Sequence, residues 1–150
     1  FTMATSRILK IVLLLLYCSI SITSGQSKKQ YHVYYDRLVN FYGAVSACHS
    51  YGQRLATVTS AEDTSRLQQA IAKTSRTGLF FTAGYDSGHN GEWVWFPNGT
   101  KISTTGYSNW HSSQPDNHEE RCLEVGRFPG TMWNDISCSA ALFYICEEQD

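Results

Sequence analysis

Oxygen-bearing side chains are concentrated between residues 114 and 135 of this 150-residue chain. Carboxylates and side-chain amides stand there at Gln114, Asp116, Asn117, Glu119, Glu120, Asn134 and Asp135. Hard cations, calcium above all, prefer carboxylate and amide oxygens to sulfur ligands. An exposed acidic loop that binds nothing is the alternative interpretation. The amides among the acids and the cysteines beside them favour a calcium site.

Two further features would hold these groups in position. Pro115 would stiffen the pair Gln114 and Asp116, and a cis bond there would aim both side chains the same way. Cys122 follows the first group of acids and Cys138 follows the second. A disulfide between these cysteines would hold the two groups side by side.

The first 25 residues are predicted to be a secretory signal peptide. Arg7 and Lys10 give a basic start, residues 11–18 form an apolar run, and residues 23–25 are small residues typical of a cleavage site. The apolar run is too short to anchor the chain in a bilayer, and no other stretch approaches that length. We therefore expect a secreted protein whose domain covers residues 26–150.

The charge balance of the remaining chain excludes some classes of partner. The leader carries two basic residues and no acidic ones, so the net charge without it is −3. A mildly acidic surface without a basic run argues against binding to nucleic acid or to anionic membranes. Lys28 and Lys29 form a short basic pair that we expect to be a solvated tail.

The helices and strands predicted along the chain, which must hold these acids in place, indicate an α+β domain. A tyrosine-rich strand at residues 31–37 is expected to pair with the C-terminal end. Helical spacing follows Asn40, a suitable N-cap, and predicts a first helix that ends near Gly52. A second helix follows the capping boxes Thr59–Glu62 or Ser60–Asp63 and ends before Gly78.

The rest of the chain predicts short strands around one large loop. Strands are expected at residues 79–84, 93–96, 123–125, 132–133 and 142–146. Residues 97–116 show almost no regular pattern, and so long an irregular stretch in a compact domain is typical of a functional loop. The prediction is therefore two helices and small antiparallel sheets that carry a long calcium-binding loop.

Four cysteines remain once the leader, with Cys18, is removed: Cys48, Cys122, Cys138 and Cys146. An even number in a secreted chain predicts two disulfides. Three pairings are possible, and the nested pairing of Cys48 with Cys146 and Cys122 with Cys138 would tie the first helix to the last strand. A zinc site is the alternative, but the chain has no C-x-x-C pair.

The order of these segments resembles the C-type lectin domain family over residues 30–148. The resemblance rests on six segments in order: FYGAVSACHSYGQRLATV (41–58), LFFTAGYDSGHNGEWVW (79–95), QPD (114–116), ERC (120–122), WND (133–135) and FYIC (143–146). It is similar in kind to small secreted single-domain lectins of invertebrates. The resemblance implies the C-type lectin fold with the nested disulfides.

The resemblance also implies a ligand set for calcium, which in the family binds two sugar hydroxyl groups directly. The implied ligands are Gln114, Asp116, Glu120, Asn134 and Asp135. Amide groups can donate to a hydroxyl oxygen and carboxylates can accept its proton. The QPD order is similar to galactose-type sites, and the swapped order to mannose-type sites. Galactose or N-acetylgalactosamine is therefore the expected sugar, although Asn117 and His118 stand where galactose-type members often have a tryptophan.

Further residues complete the interpretation. An auxiliary calcium site would fall on Asp86, Asn90, Asn117 and Glu120, with Asn90 in place of an acid. Asn98 begins an N-glycosylation sequon with Gly99 and Thr100, and we expect it to be glycosylated. The four tryptophans are expected in the core rather than as sugar platforms: Trp93, Trp95, Trp110 and Trp133.

The sequence thus predicts a secreted calcium-dependent carbohydrate-binding module and not an enzyme. Its five histidines lack paired metal spacing, and no G-x-S-x-G signature is present. Glycans of glycoproteins or microbial surfaces are the expected partners, with oligomerisation as a route to avidity. One alternative is a domain of the same family that recognises protein or another non-sugar ligand. The other is a secreted metal-dependent hydrolase, which no motif supports.

Overall fold

The computed structural model describes residues 28–88 and 90–149, so the predicted signal peptide lies outside the described residues. The described part contains two helices and eight strands. In chain order these are β1 (Tyr31–Val39), α1 (Phe41–Ser50), β2 (Gln53–Leu55), α2 (Ala61–Lys73), β3 (Phe80–Asp86), β4 (Trp93–Trp95), β5 (Thr100–Lys101), β6 (Cys122–Val125), β7 (Asn134–Ile136) and β8 (Leu142–Glu148). Short 3₁₀ turns occupy Ile102–Thr104 and Pro129–Thr131.

The strands form one connected sheet with β8 near its centre. Its main order is β1-β8-β3-β4-β5, while β2 also pairs with β8, β6 with β3, and β7 with β6. The predicted pairing of β1 with the C-terminal strand is confirmed, with Tyr31 opposite Glu147. The pairing of β3 with β8 is parallel, and so differs from the antiparallel sheets expected. A parallel pair needs a crossover connection, which here is the long chain excursion between the two strands.

Both helices begin at the caps that the sequence predicts. The Asn40 side chain accepts a hydrogen bond from the Gly43 backbone N–H at 2.8 Å. The Ser60 hydroxyl accepts one from the Asp63 backbone N–H at 3.0 Å. Side-chain acceptors at these positions satisfy N–H groups that lack a partner within the helix. Of the two possible capping boxes, the Ser60–Asp63 pair is therefore the one that starts α2.

Helix α1 packs its apolar face against the sheet. The Phe41 side chain is fully buried, and its ring lies edge-on to Phe81 at 5.8 Å and stacked on Tyr85 at 5.7 Å between centroids. Burial of one such side chain stabilises the fold by about 1.5–3 kcal/mol. Since Tyr85 lies next to Asp86, this packing also fixes the start of the loop that follows β3.

Both disulfides form in the nested arrangement. Cys48–Cys146 joins α1 to β8 across 98 residues, and Cys122–Cys138 joins β6 to the segment after β7 across 16 residues. The prediction of two nested disulfides is confirmed. Because β6 and β7 also pair directly, the shorter bridge supports the strand that follows the predicted calcium loop and the strand that carries Asn134 and Asp135.

Lys29 does not belong to a solvated tail, and that expectation was wrong. Its Nζ donates to the Thr57 and Thr59 hydroxyls at 2.9 and 3.0 Å and to the Asp63 carboxylate at 2.9 Å. Asp63 is only 4% exposed. The partners lie about thirty residues along the chain, so nothing local in the sequence indicates them.

The strand expected at Met132 and Trp133 is also placed wrongly. The structure has β7 two residues later, where Asn134 pairs with Glu124 of β6 and Ile136 with Cys122. Trp133 is fully buried and instead forms an isolated bridge with Trp110. The apolar pair Met132 and Trp133 therefore marks core packing rather than the strand itself.

Candidate metal centre

Three carboxylates meet between the loop that precedes β6 and the strand β7. Asp116, Glu120 and Asp135 each offer one oxygen, and these oxygens lie within 4.8 Å of one another. We call this group the acidic cluster. Asp135 is fully buried, Glu120 half-buried and Asp116 exposed. Carboxylate oxygens at such spacing suit a hard divalent cation, which would offset their mutual repulsion.

Asp135 also organises the loop that carries the other two acids. Its carboxylate accepts hydrogen bonds from the Asp116 and Asn117 backbone N–H groups at 3.3 and 3.0 Å. The Glu120 N–H donates to the Asn117 carbonyl at 2.9 Å. The loop is therefore held against β7 by its own backbone, which positions Glu120 beside Asp116.

The electrostatics of Glu120 reflect this crowding. Burial is the largest cause that raises the pKa of Glu120, followed by the charges of Asp135 and Asp116, while Arg127 opposes them. A cation among the three carboxylates would reverse the effect of the like charges. A cation bound there would therefore favour the ionised form of Glu120.

Gln114 stands just before the acidic cluster, joined to Pro115 by a cis peptide bond. Its Oε1 is buried and finds no hydrogen-bond partner within the described ranges. A buried polar oxygen without a partner is unfavourable, so this atom is suited to a ligand that the protein itself does not provide. Amide oxygen is among the ligands that calcium accepts.

Asn134 is held by a buried acid, Glu124, that no sequence motif indicates. Glu124 is fully buried, and its Oε1 accepts from Asn134 Nδ2 at 3.1 Å and from Arg127 Nε at 2.7 Å. Asn134 Nδ2 also donates to the Asp135 carbonyl. Its amide nitrogen is therefore engaged by protein, which differs from the expected donation to a sugar hydroxyl. The Asn134 oxygen remains as the group that can face a cation.

A small cavity of about 90 Å³ adjoins the acidic cluster. Its lining includes residues of both predicted calcium sites: Asp86, Asn117, Asp116, Glu120 and Asp135. Asn90 does not line it, and its Oδ1 instead accepts the Glu92 backbone N–H at 3.0 Å. Asp86 in turn accepts from the backbone N–H groups of Gly88, Asn90 and Gly91. Three of the four residues predicted for the auxiliary site thus converge and the fourth caps a turn.

The other predicted residues divide between core and surface. Trp95 and Trp133 are fully buried and Trp93 is 7% exposed, in agreement with core placement. Trp110 is only half-buried. Asn98 is exposed on a turn, where its Oδ1 accepts the Thr100 N–H at 3.1 Å. Its side chain is accessible, and its glycosylation stays a prediction.

The mixed sheet, the two helices, the nested disulfides and the acidic cluster together define a lectin-type recognition domain. The family model for the Lectin C-type domain matches residues 37–148. The chain belongs to the C-type lectin domain family. The domains of this family and fold are non-enzymatic, so the chain is a binding module.

Individual relatives agree with this assignment. The CD209 antigen of Papio hamadryas is 33% identical over 111 residues, which cover 73% of this chain and 29% of that protein. The chain thus spans less than a third of that relative. The carbohydrate-recognition domain of the mouse scavenger receptor C-type lectin is 27% identical with a TM-score of 0.66, covering 82% of this chain and 90% of that one. C-type lectin CEL-I from Cucumaria echinata is 26% identical with a TM-score of 0.68, covering 81% and 91%.

Among the described residues, no helix combines the length and apolarity that crossing a membrane requires.

Proposed function

We propose that this chain is a calcium-dependent carbohydrate-binding domain. The observation that carries the proposal is the acidic cluster, whose three oxygens lie within 4.8 Å of one another in a domain of the C-type lectin family. The similarity to a mouse carbohydrate-recognition domain at 27% identity supports the same function.

The calcium ligands in this proposal are Gln114, Asp116, Glu120, Asn134 and Asp135. When bound, calcium would supply coordination positions for two neighbouring hydroxyl groups of a sugar. Asp116 and Glu120 accept hydrogen bonds from the sugar hydroxyl groups, because ionised carboxylates are acceptors only. Since the Asn134 amide nitrogen is engaged by Glu124, the task of donating to a hydroxyl oxygen falls to the Gln114 amide.

The order of Gln114 and Asp116 favours galactose or N-acetylgalactosamine over mannose. A single amide donor on one side of the site and a carboxylate acceptor on the other fit one arrangement of adjacent hydroxyls better than its mirror image. Exchange of the two side chains inverts that arrangement. The amide-first order in this chain is the one that resembles galactose-type sites.

The domain acts outside the cell in this proposal, on glycans of glycoproteins or microbial surfaces. Two disulfides within one small domain are typical of oxidising compartments. Residues 1–25 serve as the leader, and the Asn98 sequon carries a glycan. Expression of residues 1–150 in a eukaryotic cell line tests both points. The secreted product should begin at Gln26 and lose mass on deglycosylation, whereas an Asn98→Gln product should not.

A glycan array probed with calcium and then with a chelator tests the function. Wild-type binding should require calcium, with a calcium Kd of roughly 10⁻⁴–10⁻³ M as in extracellular modules. Asp116→Ala or Asn134→Ala should abolish binding to the array. Glu119→Ala is the matched control, since Glu119 is an exposed acid of the same loop that does not line the cavity.

Retention on a galactose column, with mannose as competitor, tests the specificity. Free galactose should elute the wild type at a lower concentration than mannose, and the double exchange Gln114→Glu with Asp116→Asn should reverse that order. A wild type that prefers mannose would refute the donor-order argument. A protein that binds calcium through Asp116 but no glycan would instead be a family member with a protein or other non-sugar ligand.

A further inference from the structure

We infer that a second cavity beside the acidic cluster is a subsite for the next sugar residue of a bound oligosaccharide. The inference rests on the proposed function, because the first sugar must stand on the calcium site. It extends that function by naming a neutral, extended glycan as the ligand class. It also assigns a ligand role to Trp110, which the sequence places in the core and the structure leaves half-buried.

The cavity is large and lies directly beside the candidate calcium site. Its volume is about 680 Å³, within the range of about 300–1,000 Å³ that is typical of small-ligand pockets. Gly91 and Trp93 line both this cavity and the 90 Å³ cavity of the acidic cluster. The smaller cavity has room for an ion and not for a sugar ring. A sugar on the ion must therefore stand outside it, where its next residue reaches the larger cavity.

The aromatic wall of the larger cavity suits a pyranose. Trp93, Tyr107 and Trp110 line it. Aromatic rings offer apolar area with a negatively polarised face, which complements the C–H groups on one side of a sugar ring. The nearby Ser103 and Ser108 are exposed and also line the cavity, so they can bond the hydroxyl groups at the ring edge.

The wall is rigid before any ligand arrives. Trp110 lies edge-on to Trp93 at 4.8 Å and to the buried Trp133 at 5.5 Å between centroids. The Tyr107 hydroxyl shares a hydrogen bond of 2.7 Å with Thr64 of α2. Side chains fixed in this way lose little freedom when a ligand binds, which favours affinity.

The charge of the cavity selects a neutral sugar. Glu92 lines it, and the carboxylate is paired with the Lys101 ammonium group. No other acidic or basic side chain is among its lining residues in the described part of the chain. An anionic sugar such as a sialic acid would therefore meet a carboxylate and no free cation, so a neutral hexose or N-acetylhexosamine is the occupant.

The inference is tested by filling the cavity without touching the calcium ligands. Ser103→Trp places a bulky side chain at an exposed lining position, and Ser46→Trp does the same on the exposed face of α1 as a matched control. Calorimetry in calcium compares methyl β-galactoside with lactose and with β1,3- and β1,6-linked galactobiose. At least one disaccharide should bind wild type and Ser46→Trp about tenfold more tightly than the monosaccharide, a difference of about 1.4 kcal/mol.

In Ser103→Trp that advantage should vanish while the monosaccharide and calcium affinities stay unchanged. The indole N–H signal of Trp110 in a ¹⁵N spectrum should shift with the disaccharide and not with the monosaccharide. A disaccharide advantage that survives in Ser103→Trp, or its absence from the wild type, overturns the subsite. Failure of the wild type to bind any of these galactosides in calcium would instead refute the galactose specificity on which the subsite rests, and the subsite with it. The proposed function itself would fall only if the wild type bound no sugar on the glycan array.

Discussion

Glu124 and Asn134 occupy opposite positions in the pairing of β6 with β7. Burial raises the pKa of the Glu124 carboxyl group, and the donors Arg127 and Asn134 oppose that rise. Its second oxygen, Oε2, has no hydrogen-bond partner in the described part of the protein. Asn134 and Arg127 therefore both donate to the same Glu124 oxygen, Oε1. The bond between Glu124 and Asn134 fixes which way the Asn134 amide points.

Removal of this support should weaken calcium binding without unfolding the domain. Glu124→Ala frees the Asn134 amide to rotate, and loss of such an outer partner typically costs 10- to 100-fold in metal affinity, so a fall of about that size is expected. Glu124→Gln keeps an oxygen acceptor at the same position and should retain most of the affinity. Titration calorimetry with calcium measures both variants. Unchanged affinity in Glu124→Ala would show that Asn134 is oriented by other groups.

At the level of residues, the sequence is informative about acids that are close along the chain. Asp116 and Glu120 are four residues apart, and their types alone predict a cation site. The role of Glu124 cannot be predicted in this way, because a glutamate between Leu123 and Val125 is typical of a solvent-facing position on an alternating strand. Its role depends on the register of β6 with β7, which joins residues ten positions apart.

At the level of elements, helices were predicted better than strands. Asn40 and Ser60 each cap a helix through a hydrogen bond to a residue only three positions further on, so a short stretch of sequence is enough to predict where the helix begins. Strand β7 is three residues long and offers almost no alternation, so its position depends on pairing with β6. The parallel contact of β3 with β8 also depends on where distant segments meet, which no local pattern encodes.

The start of α2 should make the stability of the domain depend on pH. Burial alone raises the pKa of Asp63, but the hydrogen bonds from Lys29 and Thr59 outweigh burial and bring the pKa below its ordinary value of 3.8. At a pH near 3.8 the folded state therefore binds fewer protons than the unfolded state. The stabilisation is fully present above the ordinary pKa and is lost as pH falls through the lowered one.

Asp63→Asn removes the charge that Lys29 contacts and should destabilise the domain by about 2 kcal/mol at pH 6. The difference from wild type should shrink as pH falls below 3.8, because the unfolded chain takes up a proton there before the folded Asp63 carboxylate does. Urea denaturation in chelator at pH 6 and pH 3 measures it, with the exposed neighbour Glu62→Gln as control. A difference that is equally large at both pH values would mean that the charge of Asp63 does not contribute.

At the level of the whole molecule, the two disulfides should have separable effects. Loss of Cys48–Cys146 removes a closure of 98 residues and loss of Cys122–Cys138 one of 16. The longer closure restricts the unfolded chain more, so its paired replacement by alanine should cost about 1–2 kcal/mol more. Calcium affinity should fall mainly in the shorter-bridge variant, since that bridge supports β6 and β7. Guanidinium denaturation and calcium titration measure the two effects, and the opposite ranking in both would contradict this division.

The pairing of β1 with β8 brings the two ends of the described domain together. Tyr31 lies opposite Glu147, and the Glu148 backbone N–H donates to the Gln30 carbonyl at 3.3 Å. A chain that enters and leaves at neighbouring points needs little linker to be spliced into a loop of a host protein, and the host need not stretch to accommodate it. The same geometry suits a domain that is inserted between two segments of a larger protein.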